Sequence, residues 1–352
     1  MTRLRTVTRR APALALSLAI SCAAGVCHAE PSVWATAREP ARQREAQVLR
    51  AVEELLGDAN RLGETDALAP VARGLYLRDA HSRLEAIDAA RSPSPAVRLR
   101  YGQVAYGLWE VDHQPELLTA CVDGLGFVAR SHASSSVRAE AWNDLAICLA
   151  RLGRYDDEIA AYGEALRIEP HSEARAVLLG NRAEAYMLQG KITAAVAGYR
   201  AALATTPAYA LFRFGVTTWW GLGVALDRSG DLDGALEQIR IARSYDPDDK
   251  ELAKPTWFFL PDYDRYWYAA LGHWLAARSA NNRNERLAAF DQAIESWAAF
   301  LAAAPAQEQW LPLAGKRHEQ CRRERARAVA RLDKPKGPAG AIDAPPSLIS
   351  PR

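Results

Sequence analysis

The sequence is short of cysteine, of nucleotide- and metal-binding signatures, and of any long apolar run beyond its first residues. Each shortage excludes something. Five cysteines in 352 residues, Cys22, Cys27, Cys121, Cys148 and Cys321, are too few and too widely spaced for a disulfide framework. Among the three after residue 29, Cys121, Cys148 and Cys321, no pair has zinc-ligand spacing. There is no phosphate loop, no Gly-x-Gly-x-x-Gly and no His-Glu-x-x-His, so none of these motifs points to catalysis. The histidines after residue 29, His81, His113, His132, His171, His273 and His318, are scattered, which suits surface or packing positions better than a ligand set. No segment reads as a run of strands. No stretch after the start approaches the roughly 20 apolar residues of a membrane span. Apolar residues make up 49% and charged residues 24%, an ordinary globular composition with enough apolar mass for a large core.

The first 29 residues lack acid altogether and hold Arg3, Arg5, Arg9 and Arg10. An apolar run from Ala11 to Ile20 follows, then small residues, with Ala29 before Glu30 as a cleavage point. This is the layout of an export signal, and its apolar run is too short to span a bilayer. Acylation at Cys22 is the alternative processing route, although Ala19-Ile20-Ser21 lacks the usual upstream leucine. Removing residues 1–29 changes the net charge from +2 to −2. Near-neutrality gives no electrostatic push toward nucleic acid or an anionic membrane.

What is abundant is periodicity. From Ala139 to Ser172, Trp142, Leu145, Ala146 and Leu149 share one helical face. Gly153 breaks the helix, and Ile159, Tyr162, Ala165 and Leu166 form a second face before Pro170. The pattern returns in phase from Ala176 to Tyr209 and from Val216 to Asp249, with turns at Gly190 and Gly230 and stops at Pro207 and Pro247. Two amphipathic helices cannot bury their stripes alone, so each pair must stack on the next. Small residues mark close approach, glycine ends the first helix and proline forbids continuation of the second.

These three blocks resemble tetratricopeptide repeats, helix–turn–helix units of roughly 34 residues. Glu158 stands where that pattern has a small alanine, and Ala146 and Ala183 replace its glycine. Weaker copies flank the clear ones and extend the likeness to residues 96–305. The resemblance implies an all-α protein: a right-handed α-solenoid of such helix pairs with a C-terminal capping helix. The expected layout is a leader at 1–29, an N-terminal helical region at 30–95, repeats at 96–305, the cap at 306–333 and a disordered proline-rich tail at 334–352.

The family turns the first helix of each repeat toward a concave groove. Carried over residue by residue, this places Asn143, Ile147 and Arg151 there from the first clear repeat. Gly180, Glu184 and Leu188 come from the second, and Trp220, Val224 and Arg228 from the third. Trp219 is then expected to be packed. One branch of the family clamps a terminal carboxylate; Asn181 matches one of its positions, but Asn143, Ile147, Thr217 and Gly221 depart from the others. The same alignment sets Cys121 on a second helix facing Cys148 on the next first helix. That pair is either bonded or two small apolar residues in a core, with Cys321 left over.

Other features read more plainly. Asp156-Asp157-Glu158 and Asp246-Pro247-Asp248-Asp249 lie at helix junctions, where carboxylates favour N-termini. The run from Trp257 to Tyr263, with Tyr266, Trp267 and Tyr268, either plugs the core or lines a ligand site. The stretch Lys316, Arg317, Arg322, Arg323, Arg325, Arg327 and Arg331 reads as a solvated helix face, with an acidic partner or anionic lipid surface as the alternative. Together these imply a non-enzymatic scaffold or adaptor of a bacterial-type cell envelope, periplasmic or envelope-attached. It would bind a protein or peptide in its groove, without cofactor or metal. A structural lipoprotein-type assembly subunit acting through convex or terminal surfaces is the other reading.

Overall fold

The computed structural model describes residues 33–61, 69–168, 174–254 and 261–332. The expected leader with Cys22, the tail from Lys334, Pro170, His171 and the stretch Trp257 to Leu260 lie outside the described residues. The chain divides into two compact units, Met1–Arg44 and Glu45–Arg352. The described part of the first is a helical stretch that contains Pro40 and is exposed from Pro40 to Arg44.

Thirteen α-helices and no strand occur among the described residues. They are α1 (Val33–Arg61), α2 (Ala69–Glu85), α3 (Pro95–Asp112), α4 (Pro115–Ala129), α5 (Ser135–Arg151), α6 (Tyr155–Ile168), α7 (Arg175–Leu188), α8 (Ile192–Thr205), α9 (Val216–Arg228), α10 (Leu232–Tyr245), α11 (Asp264–Ser279), α12 (Arg283–Ala303) and α13 (Leu311–Leu332). The second unit is an all-α solenoid of helix pairs. From α3 onward, consecutive helices pack as α3/α4, α5/α6, α7/α8, α9/α10 and α11/α12, and each pair stacks on the next.

The local chemistry explains the boundaries. Pro95 and Pro115 sit at the first turns of α3 and α4, where a missing N–H costs nothing, and the Ser94 hydroxyl accepts from the Val97 amide. Asp231 caps α10 by accepting from the Gly234 amide at 2.8 Å. The turn inside each clear repeat uses a glycine at positive φ, +70° at Gly153, +73° at Gly190 and +98° at Gly230. A side chain there would be strained, so these three positions fix where the first helix ends. The connection ahead of α9 is a short 3₁₀ turn, Ala208–Ala210, and a wider π turn, Leu211–Gly215, that runs directly into the helix.

The larger apolar core joins α7 to α13 around Trp220, Trp267, Trp274 and Trp297. Trp267 meets Trp297 edge-on at 4.9 Å and Phe300 at 5.0 Å, a favourable aromatic geometry. Thus Trp267 and Tyr268 of the aromatic block are core, and the half-buried Tyr263 and Tyr266 pack against it. The second core runs from α3 to α8. Within it a disulfide joins Cys121 of α4 to Cys148 of α5, with Cα atoms 6.5 Å apart. Cys321 is free and buried.

Candidate partner-binding groove

Of the first helices of successive pairs, α5, α7 and α9 carry the expected groove residues. In α5 the stripe Asn143, Ile147 and Arg151 is half-buried. Asn143 donates its side-chain amide to Asp144 at 3.0 Å. Arg151 lies 5.1 Å over the Trp109 ring, a cation–π contact, and donates to the Tyr106 hydroxyl. Ile147 lines a cavity of 780 Å³ whose wall also includes Leu56, Leu77, Tyr106 and Asp144. Charges around this cavity are matched internally: Arg73 pairs with Glu110 at 3.1 Å and Arg100 with Glu53 at 3.3 Å. Burial raises the pKa of Asp144, against hydrogen bonds from Gln103 (2.7 Å) and Asn143.

Sequence reasoning missed Asp144 and the residues opposite it on α1 to α3. Asp144 adjoins a predicted groove residue, and that adjacency was the available signal. The residues on α1 to α3 belong to segments too degenerate for their phase to be read.

In α7 the stripe is mixed. Gly180 is buried, and the Phe214 ring from the π turn lies over it, so close that a Cβ there would sit 2.8 Å from the ring. Glu184 and Leu188 remain half-buried. The Tyr199 hydroxyl donates to Glu184. Burial, only partly countered by that bond, pushes the Glu184 carboxyl up to about 7.

The α9 stripe corrects the expectation. Trp220, Val224 and Arg228 are 2%, 0% and 6% exposed and offer no open surface. Their four-residue spacing keeps them on one face, and that face is covered by α11. Trp220 packs against Tyr268 and fills the space left by Gly272. Arg228 donates two bonds to Asp264, at 2.8 and 2.9 Å, and its guanidinium lies between the Trp267 and Trp310 rings. Trp219, expected inside, is only half-buried and stacks on Tyr245 at 4.9 Å.

The capping region closes this end. Arg317 of α13 reaches Asp227 at 2.7 Å, and Trp267 donates to the same carboxylate at 3.0 Å. Glu308 accepts from the Tyr263 hydroxyl at 2.6 Å, and Gln309 lies against Gly190. The basic stretch is therefore not simply a solvated face. Arg317 is 9% exposed, Arg325 pairs with Asp291, and Arg322 pairs with Glu319. The acidic trio does open α6. Asp156 and Asp157 stay exposed and pair with Lys191 and Arg154, whereas Glu158 is buried. Asp249 pairs with Arg243, and Asp246 accepts from the Glu251 amide. No group of three metal-ligating side chains forms among the described residues. No described helix is long and apolar enough to cross a membrane.

Comparison with known proteins gives a family match to the tetratricopeptide repeat over residues 139–172. No curated protein matches the chain. Among solved structures, MamA is similar over 54% of this chain and 99% of its own, at 14% identity and TM-score 0.41. BtubC from P. vanneervenii is similar over 89% and 98%, at 15% identity and TM-score 0.36. The TPR domain of P58(IPK) is similar over 80% and 99%, at 13% identity and TM-score 0.25. The pair α5/α6, with its turn at Gly153, is thus a tetratricopeptide repeat set within an all-α solenoid of helix pairs.

Proposed function

We propose that the protein is a cell-envelope scaffold that holds an extended segment or helix of another protein against the first helices of its pairs. The observation that carries this is the contrast along the solenoid. The α9 stripe is packed, while Asn143, Ile147 and Arg151 stay accessible beside a cavity with both apolar and polar walls, the mixture that recognition sites use. Glu184 and Leu188 extend the same surface.

The experiment is site-specific photocrosslinking in the native host. A crosslinker at Ile147 is expected to trap a partner, and one at Ala160, an exposed residue of α6, is not. Trapping from Ala160 alone would move the working surface to the second helices. The envelope setting rests on residues 1–29, and the mass of the mature chain tests it. A start at Glu30 fits a cleaved soluble protein, an acylated Cys22 fits the lipoprotein-type subunit, and an unprocessed Met1 contradicts export.

A further inference from the structure

Glu158 occupies the place held by Ala195 and Ala235 in the next two repeats, and both of those are fully buried. It is 3% exposed, and its Oε2 atom has no hydrogen-bond partner among the described residues. An ionised carboxyl so placed is costly unless something compensates it. Its charged neighbour is Glu184 of α7, which has the same sign. The fields of Glu158 and Glu308 both act on Tyr155, so a third carboxyl lies nearby. The guanidinium whose field reaches Glu184, Arg228, is already held by both oxygens of Asp264. Acid is in excess around Glu158, and no basic side chain among the described residues pairs with Glu158 or Glu184.

We propose that Glu158 and Glu184 form a receptor for one alkylammonium or guanidinium group, presented as the Lys or Arg side chain of a segment lying in the groove. The proposal rests on the groove reading above and adds the chemistry of the partner. Such a group carries several N–H donors and a positive charge, which is what an unpartnered carboxyl beside a second one lacks. Burial and the Glu184 charge push Glu158 up to about 8, and Glu184 itself is raised to about 7. Near neutral pH Glu158 is therefore largely protonated when empty and Glu184 about half so, and a cation entering the pair displaces protons.

The test uses the full chain with ¹³C-labelled glutamate carboxyls. Three probes are titrated at pH 7: n-butylammonium, an extended ten-residue peptide with a central lysine, and the same peptide with norleucine in that place. The lysine peptide is expected to shift the Glu158 and Glu184 resonances toward the ionised form and to release protons, seen as buffer-dependent heats. It should bind about tenfold more tightly than the norleucine peptide, the effect of one charge-assisted bond. Glu158→Gln and Glu184→Gln keep shape and hydrogen-bonding capacity, and each should remove that preference. Glu158→Ala, the residue of the sibling repeats, should do the same if the glutamine variant folds poorly. Equal binding of both peptides would leave the groove reading standing and overturn the cation receptor. A shift with n-butylammonium but no binding of either peptide would support the receptor and count against the groove reading. No shift with any cation would overturn the receptor and leave Glu158 a neutral carboxyl of the core.

Discussion

At the scale of single residues, neighbouring side chains in this chain have opposite fates. Trp219 and Trp220 differ by one position, and a helix turns about 100° between them. The structure buries Trp220 against Tyr268 and leaves Trp219 half-exposed on Tyr245. Trp220→Ala is expected to cost about 3–5 kcal/mol because the surrounding helices cannot collapse into the gap. Trp219→Ala should cost under about 2 kcal/mol, the value of partial burial and one ring contact. Urea denaturation of the two variants checks the order, and a larger loss at Trp219 would reject the packing described.

Glu158 supplies a second prediction at this scale. Its folded pKa, about 8, lies above the unfolded carboxyl value. The native state therefore binds more protons than the unfolded state between roughly pH 4.5 and 8, and stability falls as pH rises through that window. Glu184, raised to about 7, adds the same sign up to about pH 7. Thermal midpoints should drop from pH 5 to pH 8, and Glu158→Gln should flatten the drop. An unchanged slope in that variant would contradict the assignment.

At the scale of elements, two ties hold the pairs together. The Cys121–Cys148 disulfide links α4 to α5 across a sequence separation of 27. Closing a loop of that length restricts the unfolded chain and is worth about 3–4 kcal/mol. Denaturant midpoints should fall on addition of dithiothreitol, and the unreduced mass should be two hydrogens light. An unreduced mass with all thiols intact would remove the link. Disulfides of this kind form and persist in oxidising compartments. The second tie is the cap. Asp227 is fully buried and depends on Arg317 and Trp267. Arg317→Ala would strand that carboxylate and should cost about 3–5 kcal/mol, whereas Arg322→Ala, on an exposed pair, should cost under about 1 kcal/mol. Equal losses would show that Arg317 is not a cap residue.

At the scale of the whole molecule, a stack of pairs behaves nearly as a one-dimensional series, so damage spreads to neighbours first. From α3 onward, the two main cores divide the described helices into an α3–α8 part containing the disulfide and an α7–α13 part closed by the cap. Hydrogen exchange on Arg317→Ala should show lost protection in α9 to α13 while α3 to α6 keep theirs. A uniform loss along the chain would mean that the solenoid unfolds as one unit.

How far the sequence could be read depended on where each interaction lies along the chain. Helical period, turn glycines and stopping prolines act within a few residues, so the clear repeats at 139–172, 176–209 and 216–249 stand in the sequence with their turns at Gly153, Gly190 and Gly230. The likeness of each block to its neighbour also placed Cys121 opposite Cys148, because stacking repeats converts sequence phase into spatial distance. The α9 stripe could not be read in the same way. Whether Trp220, Val224 and Arg228 face a groove or a core depends on α11, which begins 36 residues after Arg228, and on α13, which reaches Asp227 across 90 residues. Gly180 was likewise decided by Phe214, carried there by a π turn that no periodicity announces. The sequence alone determined the helices, their pairing and their order, since these follow from short-range period and turn chemistry. Only the tertiary structure decided which first-helix residues stay accessible and which carboxyl is left without a partner, since burial is set by whatever distant element comes to lie on top.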